Sequence, residues 1–318
     1  SGGNKVKYFS SLGYMFDDKF TPGSSSERYN MTTNISADIR SWLTFRSNLN
    51  YIQNTSDNEK GNIAWTYAMQ APSTFAARQS NGDWGTYKGG SRATLVDIQR
   101  NPLRALEEGG WSNRKTQNTL INLALDFKPV KGLVVTGEMI YNAYDYKNKA
   151  YETNGTRLTD FKTGAEISGS ENINTVATSK MTYEWYENSR LTYNGLANYS
   201  WSNEKHSINA LAGISYEHYR YQKQKSYRKN FPTNNMTDLN GGSSAPADTH
   251  TEGGTKEDKL MSYFGRVNYS FMDRYLLEAN IRADGSSRFH KDNRWGIFPS
   301  FSAGWRVNQE GFMEDVHW

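Results

Sequence analysis

The sequence predicts an all-β fold, an antiparallel sheet of about ten strands that forms a section of a transmembrane β-barrel. Three observations predict it: segments with apolar residues at every second position, connections that alternate between short and long, and aromatic residues gathered at both ends of the apolar face. The segments lie near residues 5–16, 27–39, 43–54, 116–128, 132–146, 188–201, 207–221, 260–272, 275–284 and 297–307.

Short and long connections between the segments alternate regularly along the chain. Tight turns at 40–42, 129–131, 202–206 and 273–274 alternate with longer loops at 17–26, 55–115, 147–187, 222–259 and 285–296. In an antiparallel meander, alternate connections lie at opposite ends of the sheet, so all the tight turns share one side. Short periplasmic turns and long extracellular loops are the asymmetry of outer-membrane barrels.

Each strand has one apolar and one polar face. In the ninth segment, Leu277 and Ile281 alternate with Glu278, Asn280 and Arg282. We expect the apolar face to contact lipid and the polar face to line a hydrated lumen, where Glu278 would bridge Arg282 and Arg266. A soluble β-sandwich also alternates in this way, so a β-rich glycan-binding module stays open as an alternative.

Aromatic residues favour the two interfaces of a membrane. Those on the apolar face next to the tight turns are Phe127, Tyr199, Trp201, Tyr269, Phe271, Tyr275 and Trp305. Those next to the long loops are Tyr14, Phe16, Tyr29, Tyr51, Tyr141, Tyr193, Tyr216 and Tyr263. The two sets predict two aromatic girdles.

Composition excludes several other classes of protein. Of the 318 residues, 36% are hydrophobic and 14% aromatic, and the mean hydropathy is −0.83. Without cysteine there can be no disulfide, thiol nucleophile or cysteine-bound zinc. The net charge of +4 includes no long block of one sign, so no nucleic-acid partner is expected. The five histidines show no metal-ligand spacing, and we expect no catalytic residue, metal or cofactor.

The segment YLLEANIRADGSSRFHKDNRWGIFPSFSAGWRV, residues 275–307, closely resembles a signature of the SusC-like TonB-dependent transporters of Bacteroidetes-type bacteria. Residues 1–20 and 28–51 resemble an earlier barrel section of the same family. The resemblance implies that residues 1–318 form part of a barrel of about 22 strands with a plugged lumen. It also implies that the plug, the N-terminal segment and the C-terminal strands are absent from this chain.

The resemblance further implies a function and partners. The expected function is TonB-dependent import of oligosaccharides or peptides across the outer membrane. The expected partners are a SusD-like surface lipoprotein, outer-membrane lipid and the TonB-ExbB-ExbD complex, which the missing N-terminal part would contact. A more general siderophore or cobalamin receptor is the second reading.

Ligand contacts are expected from aromatic residues in the long loops, because flat rings with polar edges suit sugar rings and peptide side chains. The candidates are Trp65, Tyr67, Trp84, Tyr87 and Trp111 in the first long loop, with Tyr183, Trp185 and Tyr186 in the second. An equally open interpretation is that these rings pack the loops against one another.

The signature residues have two interpretations. They are Asp284, Gly285, Ser286, Ser287, Arg288, Phe289, Trp295, Gly296, Phe298 and Pro299. In the structural one, which we favour, Asp284 and Gly285 open the loop, Trp295 and Phe298 anchor the next strand at the outer girdle, and Pro299 is tolerated near a strand start. In the functional one, the basic side chains Arg288, Lys291 and Arg294 contact a ligand or partner.

Overall fold

The structure, a computed structural model, describes residues 3, 5–19, 23–59, 61–71, 77–80, 82–84, 101–153, 155, 178–236 and 238–313. Ten strands dominate it. They are β1 Val6–Asp18, β2 Ser25–Arg40, β3 Leu43–Glu59, β4 Trp111–Phe127, β5 Leu133–Glu152, β6 Lys180–Ser202, β7 His206–Lys229, β8 Thr249–Phe271, β9 Tyr275–Ser286 and β10 Trp295–Trp305.

The helices lie in the connections and at the end of the chain. Within the part of the chain that the structure describes, two segments form α-helices, α1 Gly61–Gln70 and α2 Pro102–Glu108. Single 3₁₀ turns are formed by Leu239–Gly241, Pro246–Asp248, Lys291–Asn293, Val307–Gln309 and Gly311–Met313. Within the described residues, none of the helices has the length and apolar character needed to cross a membrane.

The ten strands form one sheet in sequence order, β1 to β10, and every neighbouring pair is antiparallel. The predicted meander is therefore confirmed. Each strand from β2 to β9 pairs with a neighbour on both sides, so its backbone N–H and C=O groups are satisfied by the sheet itself. That property allows a strand to lie in hydrocarbon.

The register carries one alternation across the whole sheet. Leu43 of β3 pairs with Phe127 of β4, and Phe127 pairs with Val135 of β5. On the opposite face, Thr44 pairs with Asp126, which pairs with Thr136. We call the face that carries Leu43, Phe127 and Val135 the outer face and the other the lumenal face.

An apolar band runs around the outer face. It spans Leu133 to Ala143 on β5, Leu191 to Tyr199 on β6, Ile208 to Tyr216 on β7 and Met261 to Phe271 on β8. Beyond it, the outer face carries Asp145 on β5, Ser189 followed by Glu187 on β6, His218 on β7 and Lys259 on β8. The change from apolar to polar and titratable side chains marks the edge of the bilayer. The band covers about ten residues per strand, as a transmembrane strand requires.

Large apolar side chains on the outer face of the edge strands β1 and β10 also point away from the sheet. Leu12 is 80% exposed and Phe301 is 81% exposed. The predicted girdle residues share this face, with Tyr14 59% and Trp305 54% exposed. Among the described residues, the few buried apolar side chains do not form a dry layer against this band. The arrangement suits a lipid contact and disfavours the soluble sandwich.

The strands run farther than the sequence predicts. β6, β7 and β8 contain 23, 24 and 23 residues, about twice the length that a bilayer needs. The predicted loops 55–115, 147–187 and 222–259 therefore begin too early and end too late. Above the band both faces contact water or protein, so the apolar alternation that marks a strand is lost while the backbone pairing continues.

A small core stabilises this upper part of the wall. Tyr151 and Met181 on the outer face are fully buried, and Phe231 from the β7–β8 connection covers them. Tyr151 donates a hydrogen bond from its hydroxyl to the Thr233 carbonyl at 3.2 Å. The connection after β7 thus folds back over the outer face above the bilayer.

The first prediction concerns the two faces of β9. Replacing Leu277 or Ile281, which are 53% and 56% exposed on the outer face, by Arg should cost about 2 to 4 kcal/mol near the bilayer midplane. The lumenal variant Asn280→Arg is the matched control and should be mild. Folding of the intact barrel protein into lipid vesicles measures both, and equal penalties on the two faces would contradict the assignment.

Candidate functional site: the lumenal face

At bilayer depth the lumenal face is crossed by polar side-chain bridges between strands. Arg46 of β3 donates two hydrogen bonds to Asp126 of β4, from Nε at 2.7 Å and from a terminal nitrogen at 2.9 Å. The Thr136 hydroxyl of β5 donates to the same carboxylate at 2.8 Å. Asp126 thereby joins three strands, in the bidentate geometry that makes Arg–carboxylate pairs strong.

A second bridge lies higher on the same face. Glu138 of β5 accepts hydrogen bonds from Asn122 of β4 at 2.9 Å and from Asn194 of β6 at 2.8 Å. Asparagine recurs on this face, at Asn48, Asn50, Asn118, Asn142, Asn188, Asn198, Asn209, Asn268 and Asn280. The lumenal wall is therefore rich in neutral groups that both donate and accept hydrogen bonds.

The predicted bridge between Glu278 and two arginines is wrong. Glu278 accepts instead from Asn280 on its own strand, at 2.7 Å. Arg282 donates to both oxygens of Asp284 at 2.8 and 2.9 Å, and to the buried Ser262 hydroxyl at 3.0 Å. Asp284 lies two residues after Arg282 on the same strand, so the two side chains share the lumenal face. Asp284 therefore takes the place of Glu278 as the partner of Arg282.

Above the bilayer, the lumenal face carries a cluster of tyrosines, which we call the tyrosine cluster: Tyr144, Tyr146, Tyr186 and Tyr221. Tyr186 lies at its centre. Its ring stacks on Tyr146 at 4.5 Å between centroids, with Tyr144 at 5.9 Å and Tyr221 at 6.1 Å. Three neighbouring strands, β5, β6 and β7, position the four rings because the residues pair directly or one step apart.

Two rings of the tyrosine cluster are partly desolvated. Burial against the neighbouring rings raises the pKa of Tyr186 to about 12. Burial also raises the pKa of Tyr146, and the nearby Arg114 opposes this shift. The phenols of Tyr146 and Tyr186 therefore stay protonated at physiological pH and offer both apolar faces and hydroxyl groups. Such a surface can stack on a ligand ring and hydrogen-bond its edge.

Only Tyr186 of this cluster was among the predicted ligand residues. Tyr144, Tyr146 and Tyr221 were missed because they lie where strands were predicted to end. Their spacing carries a usable signal: Tyr144 and Tyr146 continue the lumenal alternation of β5, with Asn142 one step before them.

The ligand residues predicted in the first long loop lie in different surroundings. Trp84 is 4% exposed, carries the Arg78 guanidinium 3.7 Å above its ring, and donates from its indole nitrogen to Glu108 at 3.0 Å. It packs the loop, as the alternative interpretation expects. Trp65 is 58% exposed on α1 and Tyr67 is half-buried there. Tyr87 lies outside the described residues.

Three predicted residues lie on strands rather than in loops. Trp111 begins β4, while Tyr183 and Trp185 belong to β6. Trp111 pairs with Tyr151, Tyr183 with Lys149 and Trp185 with Lys147, all on the outer face above the apolar band. The alternation of β6 therefore separates them from Tyr186, and they do not face the lumen.

The signature segment packs β10 closely against β9 and β8. Trp295 pairs with Gly285, and a Cβ built on that glycine would lie 2.7 Å from the Trp295 ring. The ring also stacks on Tyr263 at 5.7 Å. On the lumenal face Phe298 covers Gly296 in the same way, at 2.8 Å. Each glycine makes room for an aromatic ring that covers its bare backbone.

Two details of the structural interpretation need correction. Asp284 and Gly285 lie within β9, which ends at Ser286, so they do not open the loop. Phe298 pairs with Arg282 on the lumenal face, so it is not part of the outer girdle. Trp295 does lie on the outer face, and Pro299 pairs with Ile281 there.

The loop after β9 is fastened to β8. The Ser287 N–H donates to the Lys259 carbonyl at 2.9 Å, and the Lys259 N–H donates to the Ser287 hydroxyl at 2.8 Å. Arg288 forms an ion pair with Asp258, and Arg294 donates to the Phe289 carbonyl at 3.1 Å. Two of the three basic side chains considered for a ligand are thus occupied within the protein.

Three comparisons with known proteins indicate the class of protein that this chain resembles. No family model matches the sequence. A TonB-dependent receptor of Formosa agariphila is 25% identical over 99% of this chain, which spans 28% of that receptor. The TonB-dependent receptor SusC of Bacteroides thetaiotaomicron is 59% identical over 58 residues, 18% of this chain and 6% of that receptor. The fold matches the RagAB peptide transporter with a TM-score of 0.77 at 19% identity, over 100% of this chain and 34% of that one.

Fold and sequence together define the class as the β-barrel of a TonB-dependent receptor. Within that class the chain is SusC-like, a section that spans about a third or less of the proteins it matches.

The second prediction concerns the ion pair that fastens the signature loop. The hydrogen bond from Arg288 lowers the pKa of Asp258, which lies above the apolar band. A carboxyl with a lowered folded pKa stabilises fully above its unfolded pKa of about 3.9, and this contribution is lost as the pH falls through the folded pKa. Hydrogen exchange at residues 287–294, corrected for its intrinsic pH dependence, should show protection at neutral pH that fades in that acidic range.

The variant Asp258→Asn should remove this pH dependence and leave the loop less protected at neutral pH. Asp292→Asn is the matched control, because Asp292 is exposed in the same loop and its ion pair reaches only His290. An unchanged acid transition in the Asp258 variant would show that another group fastens the loop.

Proposed function

We propose that the protein containing this section is an outer-membrane, TonB-dependent importer of nutrients, and that its substrates are oligosaccharides or peptides. It is a transporter rather than an enzyme, and it works with a SusD-like surface lipoprotein that covers the outer mouth of the lumen. Energy for import comes from the TonB-ExbB-ExbD complex. The names of the curated relatives and of the matched transporter support this assignment.

The observation that carries the proposal is the tyrosine cluster on the lumenal face above the bilayer. A solute that enters from outside meets this part of the wall before it reaches bilayer depth. Stacked phenol rings bind the flat apolar faces of sugars and of peptide side chains, and their hydroxyls supply hydrogen bonds.

The wall beneath the cluster suits the same kind of solute. Asn122, Glu138 and Asn194 form one connected polar unit at bilayer depth. Its hydrogen bonds are made within the protein, so it shapes the wall without holding a passing solute tightly. Among the described residues, no group of three or more His, Asp or Glu side chains could hold a metal ion.

The third prediction tests substrate binding. In the full-length transporter, Tyr146→Ala and Tyr186→Ala should each weaken substrate binding about fivefold, since a stacked aromatic contact contributes on the order of 1 kcal/mol. Isothermal titration calorimetry against panels of oligosaccharides, peptides and ferric siderophores measures the effect and identifies the substrate class.

The matched control is Tyr193→Ala. Tyr193 lies on the same strand as Tyr186 but on the outer face within the apolar band, and it is 47% exposed. It should leave the affinity unchanged. Wild-type affinity in both cluster variants would overturn the assignment of the site, and binding of siderophores alone would overturn the nutrient class.

A further inference from the structure

We propose that three lysines on the outer face just above the bilayer, Lys115, Lys147 and Lys149, bind the phosphate-bearing headgroup of an outer-leaflet lipid. This rests on the proposed outer-membrane location. Lys147, Lys149, Tyr183 and Trp185 line one cleft, which we call the lysine cleft, and Lys115 pairs with Lys147 from the adjoining strand β4. The cleft is separate from the lumenal face that the transport proposal uses.

Charge is the first step of the argument. Lys115 of β4 pairs directly with Lys147 of β5, so two ammonium groups project from facing positions on one face. Like charges placed opposite each other destabilise a strand pair. Among the described residues, no carboxylate forms an ion pair with Lys115, Lys147 or Lys149. A bound anion would offset the repulsion between the ammonium groups of Lys115 and Lys147.

The acids nearest to these lysines on the outer face do not neutralise this charge. Asp57 of β3 lies diagonally opposite Lys115 and accepts a hydrogen bond from Asn113 at 2.6 Å. Asp145 and Glu187 pair with each other across β5 and β6, one outer-face step closer to the bilayer. Among the described residues, none of these three carboxylates forms an ion pair with a lysine. Lys149 instead lies over aromatic rings, 5.1 Å from Tyr183 and 5.7 Å from Trp111. These rings hold its ammonium group in place and leave its charge uncompensated.

Shape is the second step. A cleft of about 420 Å³ opens beside Lys147 and Lys149 and is lined by Tyr183, Trp185 and Gln224 among others. Trp185 pairs directly with Lys147. An aromatic ring beside an ammonium group gives the cleft both an apolar wall and a cation. That combination suits an amphipathic headgroup, whose phosphate and glycerol or sugar part need different contacts.

The third step is the height of the lysine cleft above the apolar band, which favours a lipid headgroup as the bound anion. Ala143 ends the apolar band on β5, and Lys147 lies two outer-face positions farther on. With about 3.3 Å per residue and a tilt of about 40°, this places Lys147 on the order of 10 Å above the band. The headgroup layer extends roughly 5 to 8 Å beyond the hydrocarbon on each side, so a lysine side chain that starts from this height has only a few ångströms to reach down into it. On this outward face, the lipid leaflet is the neighbouring source of phosphate.

The fourth prediction uses the full-length transporter in nanodiscs of phosphatidylcholine with a minor fraction of phosphatidic acid. Native mass spectrometry counts the lipids that stay bound. The wild type should retain phosphatidic acid in preference to phosphatidylcholine. The double variant Lys115→Gln/Lys147→Gln should lower this preference about thirtyfold, as expected for two basic residues at an anionic surface.

Two further variants control for fold and for general charge. Lys225→Gln/Lys256→Gln removes the same charge from the lumenal face of the same upper wall, and it should keep the preference. Lys115→Arg/Lys147→Arg keeps the charge and should also keep it. Equal loss in the lumenal control, or full retention in the Gln double variant, would overturn the proposal.

A competition experiment separates a lipid site from a simple anion site. Inorganic phosphate added at the same concentration as phosphatidic acid should fail to displace the bound lipid, because it lacks the apolar part that Trp185 and Tyr183 would contact. Complete displacement would overturn the lipid assignment. Substrate binding by the Gln double variant should equal that of the wild type, so failure here is distinguishable from failure of the transport proposal.

Discussion

The continuous antiparallel pairing of the ten strands is the constraint on which the rest of the structure depends. Hydrocarbon offers no hydrogen-bond partner, so each backbone group inside the bilayer must be satisfied by a neighbouring strand. Once that pairing exists, the register fixes which side chains share a face across the whole sheet. Lipid contact, lumen lining and the separation of Tyr186 from Trp185 all follow from one alternation.

The sequence predicted this architecture because the bilayer imposes a strong pattern. All ten strands and the tight turns between them are found, and Leu277, Glu278 and Ile281 lie on the expected faces. The upper strand segments could not be predicted, because water imposes no such contrast between the faces. Tyr146 and Lys147, for example, are neighbours in the upper part of β5, where the outer face no longer carries the apolar band.

The candidate site was only partly predictable for the same reason. A list of aromatic residues includes Tyr186, but whether a ring lies on the lumenal face depends on one residue of register. Trp185 and Tyr183 fall on the outer face, and Trp84 is used to pack its own loop. Side-chain partners such as Asp284 for Arg282 also depend on local geometry that strand pairing alone leaves open.

The fold-back of the β7–β8 connection over Tyr151 and Met181 divides the outer face into successive environments. A single strand such as β6 passes from lipid at Tyr199 and Tyr193, through a polar interface at Glu187, to a protein interior at Met181. Outer-face residues of β6 therefore tolerate different substitutions at different heights: apolar residues in lipid, polar residues at the interface, and residues of matching shape in the protein interior. A hydropathy value averaged over the whole strand would hide these three environments.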